Sequence, residues 1–209
     1  MNETQKKFCR KMTNWFLFKV YAIKKLPLAF LTGFKIVELD ESKCVTRVKY
    51  NYLNKNPFRS TFWAVLGMAA ELSTGAYALL ATKGKEKSIA VILVGAHAEF
   101  VKKATSVTMF TCSNWLDFDK AAGRAIETGE PQTAIGRSIG SNSDGETIAL
   151  FEFIWSFKIR NQPTPNKASG SALKFYSNNY IVTLGVYSLA IFLGYSSFGL
   201  ITDFFDAIF

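Results

Sequence analysis

Residues 60–82 read STFWAVLGMAAELSTGAYALLAT, and this stretch decides the fold. From Phe62 to Ala81 every residue is apolar, small or hydroxylated except Glu71. Ser60 or Thr61 can cap the start and Lys83-Gly84 ends it, which predicts one long helix. A helix that is apolar all round is buried all round, so something must wrap it. The flanking sequence supplies the wrapping as β-type runs. Gly33–Asp40 (GFKIVELD) and Lys43–Tyr50 (KCVTRVKY) precede the helix, joined by a hairpin-like break at Asp40-Glu41-Ser42. Ser88–Phe100, Thr105–Asn114, Pro131–Ser141 and Thr147–Ile159 follow it. In the last run Phe151, Phe153, Trp155 and Phe157 share one face at period 2, with Glu152, Ser156 and Lys158 on the other. Asp117–Glu127 suits a short helix or a covering loop. The order strand–strand–helix–four strands predicts an α+β fold, an antiparallel sheet wrapped around one central helix.

Composition agrees with a packed domain. The chain has 209 residues, 49% hydrophobic and 20% charged, which suits one domain with extensions and excludes a disordered or collagen-like chain. Cys9, Cys44 and Cys112 are scattered and odd in number, so neither a disulfide framework nor a CxxC site follows, and a reducing compartment is expected. One histidine, His97, excludes a His-rich zinc site, and a Ser-His-Asp triad would have to use it. His97 lies in an alternating strand and reads as a core or edge residue; Cys112 reads as buried packing. Neither a metal nor a cofactor is expected, and the phosphate-loop patterns GxxxxGK[ST] and GxGxxG are absent. No cleavable signal peptide is expected.

The net charge of +9 is concentrated at the start of the chain. Lys6, Lys7, Arg10, Lys11, Lys19, Lys24, Lys25 and Lys35 are opposed only by Glu3. Cys9, Met12, Phe16, Val20 and Ile23 fall on one face of a helix over residues 1–27, and Pro27 marks its end. Three readings follow. The segment is an ordinary first helix packed on the domain, or it lies in a membrane interface with lysines toward anionic headgroups. Nucleic-acid binding is the third, but no recognition motif follows, and no nucleic-acid partner is expected.

The far end carries a second apolar element. Residues 161–174 include NQPTPNKASGS and read as a linker. Within 175–209, Tyr180–Thr202 holds no charged residue over 23 positions, long enough to span about 30 Å as a helix. Lysines before it and aspartates after it would keep the basic domain on the cytoplasmic face of the inner membrane. Its hydroxyls and glycines leave open a helix docked on the domain or exchanged in a dimer, with a soluble cytoplasmic protein as the alternative.

Glu71 is the informative charge of the central helix. A carboxylate buried there is costly unless hydrogen-bonded, paired or neutral, and burial raises its pKa. Such a group is a candidate general base or water-orienting residue, or else a glutamate on a partly wet stripe.

Asn54–Gly75, NKNPFRSTFWAVLGMAAELSTG, resembles the hotdog-fold thioesterase superfamily and, more narrowly, the bacterial branch known as DUF4442. The runs Ala98–Cys112 and Phe153–Arg160 are similar to that branch too, and the resemblance covers roughly 28–160. Members carry an asparagine, a His-Gly-Gly six positions later, and an Asp or Glu nine positions after that His. Asn56 matches the asparagine and Glu71 the carboxylate, while Phe62-Trp63-Ala64 stands in place of His-Gly-Gly. The resemblance implies a homodimer that binds acyl-CoA-type thioesters. Asn56 and Glu71 would position water and thioester, the Trp63 N–H would act as oxyanion donor, and Phe62 and Asn54 would lie at the substrate. Lys83, Lys85, Lys87, Lys102 and Lys103 are the basic residues available to CoA phosphates, or solvated caps. The lost His-Gly-Gly leaves two functions open: a hydrolase with a reshaped pocket, or a non-catalytic accessory or scaffold subunit docked at the inner membrane through 1–27 and 175–209.

Overall fold

The twenty residues Trp63–Thr82 form the long central helix, α4 in chain order. The computed structural model describes residues 1–160; the linker and apolar tail expected at 161–209 lie outside the described residues. Three helices come first: α1 (Glu3–Thr13), α2 (Trp15–Lys25) and α3 (Pro27–Thr32). Strands β1 (Lys35–Leu39) and β2 (Cys44–Lys49) and a one-turn 3-10 helix at Tyr52–Asn54 lead into α4. After it come β3 (Ile89–Phe100), β4 (Val107–Cys112), helix α5 (Trp115–Thr128), β5 (Gln132–Ser141) and β6 (Thr147–Ile159). The six strands form one sheet in the order β1-β2-β4-β5-β6-β3, every pair antiparallel. The expected strand–strand–helix–four strands is therefore the observed architecture.

The strands form where the pattern places them. Phe151, Phe153, Trp155 and Phe157 of β6 all turn inward and are buried. The β1–β2 turn is held by Asp40, whose Oδ1 accepts from the backbone N–H groups of Ser42 (2.7 Å) and Lys43 (3.1 Å). The segment left between helix and loop is a helix. Trp115, Phe118, Ala122 and Ala125 recur at helical spacing and are buried in α5, and Gly129 ends it at φ +76°. Trp115 and Phe118 pack on Tyr77 of α4 at ring-centroid distances of 5.5 and 5.8 Å.

Helix α4 meets the sheet through small residues. Ala69, Ala70, Ser73, Thr74, Ala78 and Ala81 are fully buried. Their hydroxyls tie the layers together: Ser73 Oγ lies 2.8 Å from Ser138 Oγ of β5, and Trp155 Nε1 donates to Thr74 Oγ1 at 3.0 Å. From the sheet, Thr46 Oγ1 donates to the Ala69 carbonyl at 2.6 Å. Facing Thr74, β5 carries Gly136, where a Cβ would sit 2.7 Å from the threonine Cβ and 2.8 Å from Phe118 Cζ.

Two expectations are corrected. The continuous helix over residues 1–27 is two helices broken at Asn14, with α3 beginning at Pro27. Asn14 is extended, and its Oδ1 accepts from the N–H groups of Phe16 and Leu17, so it starts a new helix. The break resets the helical phase. Cys9, Met12 and Val20 are buried, but Phe16 and Ile23 are exposed. Second, neither Ser60 nor Thr61 caps α4. Ser60 Oγ bonds Asn56 and Thr61 Oγ1 bonds the Ala104 carbonyl, so both hydroxyls are spent on the loop and Phe62 is an N-cap without a side-chain bond.

All three cysteines are buried. Cys44 and Cys112 are register partners across β2 and β4, while Cys9 lies on the buried face of α1. Burial pushes the Cys9 and Cys112 thiols up to about 11, and Cys44 well above its ordinary value.

Gly136→Ala should cost about 1–3 kcal/mol in urea unfolding, because neither Thr74 nor Phe118 can yield. Gly123→Ala, in α5 with nothing within 4 Å, should be neutral or gain about 0.5–1 kcal/mol.

Candidate functional site

Helix α4 is not buried all round. Met68, Glu71, Leu72, Gly75 and Leu79 form a stripe at helical spacing that faces a cavity of about 240 Å³. Val91 of β3 and Trp155 of β6 close it from the sheet side. Met12, Tyr21, Leu26, Ala29 and Phe34 close it from the N-terminal helices and the loop after them. Among the described residues, Glu71 is the one charged residue of this lining.

The carboxylate is left without a partner. Among the described residues no hydrogen bond or ion pair reaches the Glu71 side chain, although its own backbone carbonyl accepts from Thr74 Oγ1 at 3.1 Å. Desolvation by the apolar wall raises its pKa above the ordinary glutamate value. A half-buried, unpaired carboxylate beside an apolar cavity can take a proton from water or hold a water in place.

The other expected residues fall elsewhere. Asn56 is absorbed by its own loop. Its Oδ1 accepts from the N–H groups of Phe58 (3.0 Å) and Ser60 (3.1 Å), and its Nδ2 donates to Ser60 Oγ at 3.1 Å. Asn54 is buried, donates to the Lys49 carbonyl at 2.8 Å and accepts from the Asn51 N–H at 2.8 Å. Both asparagines shape the approach to α4, and neither lines the cavity. Phe62 and Trp63 stand exposed at the helix start, edge to face at 6.1 Å. With α4 uncapped, the Trp63 and Ala64 N–H groups donate to no acceptor among the described residues, and the helix dipole adds partial positive charge there. Eight residues separate Trp63 from Glu71, a rise of about 12 Å, so one chain does not bring donor and carboxylate together.

The five lysines divide between the two ends of α4. At its C-terminal end Lys83 lies over the Phe8 ring at 5.3 Å, Lys85 pairs with Asp119 at 2.8 Å, and Lys87 reaches the Ile126 carbonyl at 3.5 Å. At its N-terminal end Lys102 pairs with Glu146, and Lys103 reaches the Phe58 carbonyl at 3.5 Å. None of the five lines the cavity. His97 projects from the outer face of β3, exposed and 3.5 Å from Glu99. That placement removes it from the core and from the Glu71 cavity.

Helical periodicity over residues 1–27 does not reveal the N-terminal share of the cavity wall. Read as one basic helix, that segment gives Tyr21 and Leu26 no special place; the break at Asn14 starts a second helix whose end puts both on the cavity wall.

Two measurements separate structural from chemical roles here. Asn56→Ala should lower stability by about 1–2 kcal/mol in chemical denaturation, as expected for a lost turn network. Glu71→Gln should raise the melting temperature at pH 7. The native pKa lies above the unfolded one, so the native state is penalised once the pH rises through the unfolded value, fully so above the native one. The gain should vanish as the pH falls below the ordinary glutamate value, where both states are protonated.

At the level of sequence, no protein-family model and no curated protein matches the chain. Solved structures do resemble it. One from Pseudomonas aeruginosa, described as a protein of unknown function and probable thioesterase, is 15% identical with a TM-score of 0.58, covering 72% of this chain and 99% of its own. A Chlorobaculum tepidum protein of unknown function is 11% identical with a TM-score of 0.60, covering 75% and 94%. A Haemophilus influenzae thioesterase is 12% identical with a TM-score of 0.53, covering 73% and 95%. With its six-stranded antiparallel sheet curled round α4, this chain has the hotdog fold that thioesterase-like proteins share.

Proposed function

We propose that the protein binds acyl thioesters of the acyl-CoA type and hydrolyses them. The observation that carries this reading is Glu71, an unpaired carboxylate with a raised pKa on the wall of an apolar cavity. The acyl chain would occupy the cavity, and Glu71 would orient or deprotonate the attacking water. The Trp63 N–H, uncommitted at the start of α4, would stabilise charge on the carbonyl oxygen. Because about 12 Å of helix separates these two groups in one chain, the working site would combine Glu71 of one copy with Trp63 of another.

Strand β3 supports such a homodimer. It is twelve residues long, pairs only with β6 and leaves its other edge open among the described residues. It exposes Ile92 and Val94 and carries no proline, lysine or arginine, the usual devices that discourage edge pairing.

A second reading is a non-catalytic accessory or scaffold subunit at the cytoplasmic face of the inner membrane. It is favoured by Asn56, whose polar atoms are spent within its own loop, and by bulky Phe62 and Trp63 at the helix start.

Hydrolysis of a panel of acyl-CoA thioesters, short to long, distinguishes the two. Turnover by the purified protein should fall roughly 10²–10⁴-fold in Glu71→Ala, with the variant still folded. Equal turnover by the variant would place the chemistry elsewhere. No turnover by the folded, unmodified chain on any thioester would leave the accessory role.

A further inference from the structure

Helices α2 and α3 have two working faces. Tyr21, Leu26 and Ala29 line the Glu71 cavity on the inside. On the outside the pair presents six large apolar side chains to solvent. Trp15 (64% exposed), Phe16 and Ile23 project from α2, and Leu28, Phe30 and Leu31 (59%) from α3. Trp15, Phe16, Lys19 and Ile23 recur at i, i+1, i+4 and i+8, so they share one side of α2. A shallow groove joins that side to α3, with Trp15, Lys19, Phe30 and Lys35 on its walls. Lys19 Nζ lies 4.8 Å from the Trp15 ring centroid, and Phe16 meets Trp15 edge to face at 6.0 Å.

We propose that this outer face docks the protein on an anionic lipid bilayer. This face and the open β3 edge both expose large apolar side chains, and their charge separates them. The β3 edge has no cation over Ile89–Phe100 and carries Glu99 and His97, which suits a second copy of the chain. The α2–α3 face belongs to a segment with eight Lys and Arg in its first 35 residues and one carboxylate, Glu3, which already pairs with Lys6. Trp and Phe among lysines match the two layers of a membrane interface. The rings enter the acyl boundary and the ammonium groups meet the lipid phosphates. Each lysine near an anionic surface strengthens binding, and salt weakens it. The inference does not rest on the thioesterase reading, since it uses none of Glu71, Asn56 or Trp63.

The test is co-sedimentation of the full chain with vesicles of phosphatidylcholine alone and of phosphatidylcholine mixed with phosphatidylglycerol. Binding to the mixed vesicles should be at least about tenfold tighter and should weaken with added salt. Lys19→Glu with Lys35→Glu, and separately Trp15→Ser with Phe30→Ser, should each remove most of that preference. All four positions are exposed, so both variants should keep the parent melting temperature. Equal binding to both vesicle types, or undiminished binding by both folded variants, would overturn the proposal and assign any membrane affinity to another segment. Absence of vesicle binding, with capture of an acidic protein lost in the same variants, would overturn it in favour of a protein partner.

Discussion

The structure depends on how closely α4 approaches the sheet. That approach is set by side chains no larger than threonine at Ala69, Ala70, Ser73 and Thr74, and by Gly136 opposite them. Small residues bring backbone polar groups and hydroxyls within reach of one another. Each of those groups must then be satisfied. The Thr46 bond to the Ala69 carbonyl, the Ser73–Ser138 pair and the Trp155–Thr74 bond meet that demand, and no buried side-chain nitrogen or oxygen among the described residues lacks a partner. The helix is thereby fixed in rotation as well as position. Its rotation puts Glu71 on the stripe facing the cavity rather than into the sheet, where an unpaired carboxylate would not be tolerated.

Seen from the sequence, the parts governed by local rules were legible. The period-2 aromatics of β6, the uninterrupted apolar run of α4 and the polar turn at Asp40–Ser42 each have one structural solution. The lone carboxylate at Glu71 stood out for the same reason. What escaped was decided by competition for hydrogen bonds. Ser60 and Thr61 have the chemistry of caps, but a loop that folds back on Asn56 and Ala104 takes their hydroxyls first. Asn56 sits at the position the resemblance assigns to substrate, yet three groups of its own turn claim it. Asn14 breaks a pattern that reads as continuous because an asparagine cap costs the hydrophobic periodicity nothing visible. Spacing reports which residues share a face, but not which partner reaches a polar atom first.

The same competition shapes the candidate site. By spending both hydroxyls on the loop, the chain leaves the first turn of α4 with open N–H donors beside two large aromatic side chains. An open donor and an open acceptor, Trp63 N–H and Glu71, are thus present on one helix but held apart by two turns of it. Rigid spacing of this kind fixes the geometry that any second copy, or any ligand bridging the two, would have to match.

The three buried thiols carry a consequence for how the molecule comes apart. Cys9 sits on the buried face of α1, whereas Cys44 and Cys112 are register partners inside the β2–β4 ladder. A thiol shielded this way reacts only when its cover lifts. Detachment of the N-terminal helix would uncover one sulfur; separation of the sheet from its helix would uncover the other two. The protein therefore holds its own two-stage record of opening: one alkylation for detachment of α1, three for loss of the fold.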